Sequence, residues 1–266
     1  MDILKNKKIS ISILIIFLGI ILILAIIYKN QKVAVLGYHS FVESKDKINY
    51  NDPMIMDIGK FENQLKFLKY NNYKTLTLEE FYCWKQKKCK IPRKSVLITM
   101  DDGFASNYYL AFPLLKKYKM NAVVFYVGNY VLNTVESIKD NPKSYMSLID
   151  IENSKKEYPN IEFASHSFDL HYEGAVKNLN YEQLNIDTKK YKELNNSNFF
   201  AYPYGHYNDR IINVLKSNNY KMAFTFGPDK NHRKATCKDN NYKIPRLNIS
   251  NDMSIIKFIL RLIVPF

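Results

Sequence analysis

Ser95-Val96-Leu97-Ile98-Thr99-Met100-Asp101-Asp102-Gly103 is apolar through Met100 and then abruptly anionic. A short run rich in β-branched residues, closed by a turn-forming Asp-Gly pair, has the pattern of a buried β-strand. Two neighbouring carboxylates at its end repel each other unless a cation or a shared proton offsets them. A divalent metal would take one Asp and leave the other free as a base. A plain polar turn is the ordinary alternative.

Further short runs of this kind lie on both sides: Val33–Gly37, Ala122–Val127, Ile161–Ser165, Phe199–Tyr202, Met222–Phe226 and Lys243–Ile249. Between them the apolar residues recur at helical spacing, as in Phe61, Leu65 and Leu68, in Leu110, Leu114 and Leu115, and in Ile211 and Leu215. Thr77 followed by Glu80 has the form of a capping box. Strand–helix alternation implies a parallel sheet, and seven repeats in one domain imply an α/β fold of the barrel type, a distorted (β/α) barrel of about seven parallel strands. In such barrels chemistry gathers at the carboxyl ends of strands. His39, Asp101, Asp102, His166 and Tyr204 all fall there. The apolar tail Ser254–Phe266 is too short to span a membrane and is expected to form a final helix closing the barrel.

The 266 residues suffice for one sizeable domain. Ile9–Tyr28 is an uncharged apolar run preceded by Lys5, Lys7 and Lys8, long enough to cross a hydrocarbon core of about 30 Å with its amino terminus in the cytoplasm. Ala25 is followed by Ile26, Ile27, Tyr28 and Lys29 rather than by a small-residue cleavage site, so an uncleaved anchor is favoured over a signal peptide. Residues 1–32 are therefore expected to be a cytoplasmic tail with a single-pass anchor, and residues 33–266 an extracytoplasmic domain. The 39 Lys and Arg against 25 Asp and Glu give a net charge of +14. The lysines are scattered and accompany no nucleic-acid motif, so nucleic acid is not an expected partner. The odd cysteine count of Cys83, Cys89 and Cys237 excludes complete internal pairing; Cys83 and Cys89 are either a small-loop disulfide or free thiols.

Two further segments complete the pattern. Ser165-His166-Ser167-Phe168-Asp169-Leu170-His171 sets two of only five histidines five positions apart at a strand end. With Asp102 they form a two-His, one-Asp set that leaves open positions for water and substrate, as hydrolytic metal sites require. Ala201-Tyr202-Pro203-Tyr204-Gly205 is a fixed aromatic turn whose backbone N–H at Tyr204 is a candidate oxyanion donor.

In this order the segments resemble the polysaccharide deacetylase family, the NodB-homology domain of carbohydrate esterase family 4, from about Val33 to Ile249. The resemblance implies a distorted (β/α) barrel that hydrolyses acetyl groups from a glycan with a bound divalent metal. It implies Asp101 as general base and Asp102, His166 and His171 as metal ligands; zinc is the first expectation, with cobalt, nickel or iron also suited to such a set.

Two departures bear on specificity. The family usually spaces its histidines four apart; the five-residue spacing here, with Tyr38-His39 after the first strand, resembles the branch acting on poly-β-1,6-N-acetylglucosamine. The Arg usual in the third motif and the usual late His acid are missing, which makes His39 the candidate acid and Arg246 a candidate for orienting Asp101. Tyr38, Tyr202 and Tyr204 are candidates for stacking on sugars. The expected activity is N-deacetylation of a surface exopolysaccharide by a monomer at the cell membrane, beside polymer synthesis or export machinery. Peptidoglycan is the alternative substrate, and a non-catalytic glycan-binding scaffold the alternative class.

Overall fold

The computed structural model describes residues 16–19, 31–44, 46, 50–138, 141–226 and 233–264. Apart from 16–19, the expected span Ile9–Tyr28 lies outside the described residues, as does His232. Among the described residues no helix is long and apolar enough to cross a membrane. The chain divides into two units at Lys32/Val33, and everything below concerns the second.

The second unit is an α/β half-barrel of about seven mostly parallel strands. Its sheet runs through β1 (Lys32–Tyr38), β5 (Ser95–Asp102), β6 (Ala122–Tyr126), β7 (Ile161–Ser165), β8 (Phe199–Ala201) and β9 (Met222–Phe224), with β10 (Ala235–Thr236) on the outer side of β1. Short strands β4 (Lys74–Thr75) and β11 (Leu247–Asn248) pair with β5 and β1, and β2 (Ser40–Val42) pairs with β3 (Ile55–Asp57) apart from the main sheet. The pairings β1–β5, β5–β6, β6–β7, β7–β8 and β8–β9 are all parallel.

Both faces of the sheet are covered. Ala34, Leu36, Val96, Ile98, Met100, Ala122 and Val124 belong to one apolar cluster, which also holds Phe61 and Leu65 of α1 (Ile58–Tyr70), Phe112 of α3 (Phe112–Tyr118) and Phe258 of α9 (Ile255–Ile263). Val33, Val35, Leu97, Val123 and Phe125 belong to another, with Phe81 and Trp84 of α2 (Leu78–Lys85). This period-2 division follows from strand geometry, and burial on two sides explains why the strands read as nearly continuous apolar runs. Helix starts follow the sequence. Asp57 accepts from Gly59 N and Lys60 N at the head of α1, and Thr77 and Glu80 form both halves of the capping box of α2. Asn107–Ala111, just before α3, is wound as a π-helix.

The expected distorted barrel of about seven parallel strands is present as a half-barrel, irregular at one seam. The expected strand Lys243–Ile249 is regular only at Leu247–Asn248. Pro245 has no N–H for a ladder, and the side chain of Arg246 is drawn towards Asp101. Two contacts remain across the seam: a parallel bridge from Phe224 to Ile244, and the β11–β1 pairing. Cys83 and Cys89 are joined as a disulfide and Cys237 is free.

Candidate active site and metal centre

Strands β5 and β7 bring the site together, because their carboxyl ends lie in one parallel sheet. Along β5, Leu97 faces the α2 side of the sheet, and Thr99 and Asp101 share its parity. Asp102 would by parity point the other way with Met100. Its φ of +72° breaks the pleat at this residue, and its carboxylate reaches the two histidines that follow β7. A non-glycine residue in this conformation is strained, and such strain concentrates at functional sites. Gly103 next to it, at φ +79°, has no room for a side chain, since a Cβ there would lie 2.6 Å from Cβ of Tyr126.

Asp102 Oδ1 lies 3.2 Å from His166 Nε2 and 2.9 Å from His171 Nε2. His166 Nδ1 is 2.9 Å from the Ala201 carbonyl, which can only accept, so Nδ1 carries the proton and neutral His166 presents a lone pair at Nε2. Asp102 Oδ1 is buried and has no true hydrogen-bond donor, although it faces both rings. Lone pairs aimed at one another repel, and a cation among them removes the conflict. Two ligands each about 2.0–2.1 Å from a common ion lie about 3 Å apart, the separation seen here. The donor set therefore fits a divalent metal. Without a cation the conflict is met by protons instead: burial raises the Asp102 carboxyl, but hydrogen bonds from imidazolium N–H outweigh it and hold the group well below the usual carboxylate range, and the carboxylate lifts His171 above its ordinary value against its own burial.

Asp101 is paired instead with Arg246. The guanidinium spans both carboxylate oxygens, Nη1 to Oδ1 and Nη2 to Oδ2, each at 2.7 Å. Arg246 is itself fixed, because Nε donates to Thr225 O at 2.9 Å and the guanidinium lies over the ring of Phe226 at 4.9 Å. Burial raises the Asp101 carboxyl, and the charge and hydrogen bonds of Arg246 work against it and hold the group below its ordinary value, so it stays ionised.

A cavity of about 930 Å³ joins these residues, lined by His39, Asp101, Asp102, His166, His171 and Tyr204 among others. The His39 ring packs edge-on against Phe226 at 5.0 Å, and its Nδ1 is buried without a hydrogen-bond partner. Tyr204 has φ +56° and lays its ring over His171 at 4.9 Å. Gly205 follows at φ +72°, and a Cβ there would fall 1.3 Å from Phe226 O.

Two expected sugar contacts are corrected. Tyr38 is 1% exposed, with its hydroxyl donating to Gln64 Oε1 at 2.8 Å. Tyr202 is fully buried and donates to Tyr242 O at 3.0 Å. Alternation along β1 carries Tyr38 away from the cavity, and Tyr202, just past β8, turns into the apolar cluster that holds Phe200 and Tyr220. Its aromatic wall is formed instead by Tyr204, Phe226 and the stacked pair Phe104–Tyr145, with ring centroids 5.2 Å apart.

Sequence reading also missed Asp187 on α7 (Tyr181–Leu194), which holds the turn between the two histidines. The signal was present, since Asp187 interrupts the buried stripe Leu184, Thr188, Tyr191.

A half-barrel carrying a candidate metal-ligating triad beside an arginine-held carboxylate has the architecture of a hydrolytic glycan deacetylase. The chain matches the polysaccharide deacetylase family over residues 88–223 and belongs to that family. The poly-beta-1,6-N-acetyl-D-glucosamine N-deacetylase of Staphylococcus aureus strain MSSA476 is 31% identical over 258 residues, covering 85% of this chain and 81% of the relative. The enzyme of the same name from Staphylococcus epidermidis is 32% identical with the same coverage. Among solved structures, a Streptococcus pyogenes deacetylase in complex with acetate superposes with a TM-score of 0.73 at 22% identity, covering 87% of this chain and 98% of that one. IcaB from Ammonifex degensii gives 0.70 at 23%, covering 88% and 98%.

Proposed function

We propose that this chain is a metal-dependent N-deacetylase of poly-β-1,6-N-acetylglucosamine, acting outside the cell from an anchor formed by Ile9–Tyr28. The observation that carries the chemistry is the convergence of Asp102, His166 and His171 on one point, beside a carboxylate held ionised by Arg246. The substrate follows from the staphylococcal relatives, which match over most of both chains.

Asp102, His166 and His171 would hold a divalent ion, zinc by preference, which would supply Lewis acidity towards the acetyl carbonyl and water. Asp101 takes the proton from the attacking water. Arg246 fixes both of its oxygens and keeps it deprotonated, so it is ready to accept a proton at neutral pH. The backbone N–H of Tyr204, set by the left-handed turn into Gly205, is the candidate donor to the oxyanion. His39, on the wall of the same cavity, protonates the departing amine, because an unprotonated amide nitrogen is a prohibitive leaving group. Tyr204 and the Phe104–Tyr145 pair offer flat apolar faces to the sugar rings.

The test is acetate release by the full-length chain from an N-acetylated β-1,6-glucosamine oligomer and, separately, from purified peptidoglycan. Release from the oligomer that a chelator abolishes and added metal restores is expected. Release from peptidoglycan alone would overturn the substrate assignment, and full activity of Asp101→Asn would overturn the mechanism.

A further inference from the structure

We infer that Asp187 is a positioning residue for the candidate metal centre: from α7 it clamps the turn between His166 and His171 and so aims the second imidazole at Asp102. The inference rests on the metal-centre reading given above.

The five-residue spacing leaves four residues to be folded between the ligands, and the turn they make is tight. Ser167 stands at φ +74°. Its Oγ accepts from Leu170 N at 3.0 Å. The carbonyls of Ser167 and Phe168 accept from Gly128 N and Asn129 N at 3.1 and 2.7 Å. The N–H groups of Phe168 and Asp169 point the opposite way, and both go to Asp187, to Oδ1 at 3.0 Å and Oδ2 at 2.6 Å. A single side chain thus fixes two consecutive peptide units at the middle of the turn.

The choice of residue is chemically specific. Two adjacent N–H donors need two acceptors, and a carboxylate supplies both. An amide of the same shape supplies one and sets an NH2 group against the other donor. Asp187 is 6% exposed and lies in line with Leu184, Thr188 and Tyr191, where the stripe would take an apolar side chain. Burial pushes its carboxyl up to about 6, against the two N–H bonds that lower it. A helix needs no such group for its own packing; the turn needs it.

The two histidines do not depend on the turn equally. His166 directly follows β7, its backbone N bonds Tyr126 O at 3.0 Å and its ring is pinned to Ala201 O. His171 sits at the far end of the turn, touched by the ring of Tyr204 and by the Tyr130 hydroxyl, which donates to its carbonyl. Loosening the turn therefore moves His171 first.

The experiment compares Co(II) binding by the full-length wild-type chain, Asp187→Asn and Thr188→Val, with chelator competition for affinity, the visible Co(II) band for geometry and thermal unfolding of the metal-free proteins. Thr188→Val, on the same helix as Asp187, removes the buried bond that Thr188 donates to Leu184 O and the one it accepts from Asn218 Nδ2, without touching the turn. Asp187→Asn is expected to weaken Co(II) about 10–100-fold and shift the band, the range for groups that orient ligands. Thr188→Val is expected to lower the unfolding temperature with affinity within twofold. Equal affinity of Asp187→Asn and wild type overturns the inference alone, as does an equal loss in Thr188→Val. A wild-type chain that takes up no Co(II) refutes the metal-centre reading itself and the inference with it. If Asp187→Asn does not accumulate folded, Asp187→Glu takes its place, keeping both oxygens but displacing them by a methylene. An unchanged band and affinity there would overturn the inference.

Discussion

Replacing Arg246 by Met should cost about 3–5 kcal/mol of folding stability, the range for removing one partner of a buried ion pair. The upper part of that range applies because nothing can substitute for the guanidinium. The side chains of Arg246 and Asp101 are 0% and 2% exposed, so water cannot screen the orphaned carboxylate. Two hydrogen bonds of 2.7 Å vanish, together with the bond to Thr225 O. Met keeps most of the apolar stem that packs over Phe226, so the loss is electrostatic rather than a cavity. Adding Asp101→Asn should recover a good part of the cost, at least about 2 kcal/mol, because the unpaired charge is then gone. Arg246→Lys should fall between, as an ammonium supplies charge without the two-pronged fork.

The pH dependence has a definite sign. The folded pKa of Asp101 lies below its ordinary value, the Arg246 charge being the largest influence set against burial. The stability it contributes is present above the unfolded value of about 4 and is lost as pH falls through the folded one. In Arg246→Met burial acts unopposed by the guanidinium, so the gap from wild type should be widest at pH 7 and narrow below about pH 4. Urea unfolding of wild type, these three variants and Asp101→Asn alone at pH 7 and pH 4, followed by circular dichroism, measures all of this. A cost under 1 kcal/mol at pH 7, or strict additivity in the double variant, would refute the pairing as the determinant of Asp101.

Chelation should abolish acetate release while leaving the far-ultraviolet spectrum unchanged, because the half-barrel core is built without the metal ligands; loss of secondary structure on chelation would contradict this. Tyr38→Phe should cost about 1 kcal/mol through the lost bond to Gln64 and leave KM unchanged, whereas Tyr204→Ala should raise KM about tenfold, or about 1.4 kcal/mol. Steady-state kinetics on β-1,6 oligomers separates the two, and an equal KM effect would undo the correction of Tyr38. Gly205→Ala should cost about 3 kcal/mol or more, since left-handed backbone and a Cβ at 1.3 Å from Phe226 O act together; a melting temperature near wild type would show that the turn yields easily.

What could be read before the structure and what could not divides along range. Strand ends depend on local pattern, and Ile161–Ser165 or the Thr77–Glu80 cap are written within a few residues of themselves. The seam could not be read that way. Pro245-Arg246 interrupts what looks like a strand because Arg246 is committed to a partner 145 residues earlier. The failure at Tyr38 and Tyr202 is of another kind. Proximity to His39 and Tyr204 in sequence suggested proximity in space, yet adjacent residues at the end of β1 face opposite sides, and Tyr202 is claimed by the cluster of Phe200 and Tyr220 before the turn that presents Tyr204.

That rule sharpens the reading of Asp101 and Asp102. Adjacent residues on a regular strand cannot both serve one cavity. Either one carboxylate belongs to the core or the pleat breaks between them. Here the pleat breaks at the last residue of β5, through the positive φ of Asp102, so both acids line one cavity and each acquires its own partner: a guanidinium for Asp101, two imidazoles for Asp102. Like charges that would raise each other's pKa are thereby each stabilised by a partner of their own, which is why both are held in the ionised form despite burial. Gly103, with no space for a Cβ, keeps the chain turning away fast enough to leave the mouth of the cavity open. The separate surroundings of the two carboxylates thus reside in one backbone dihedral, a quantity that the letters Asp-Asp-Gly permit but do not state.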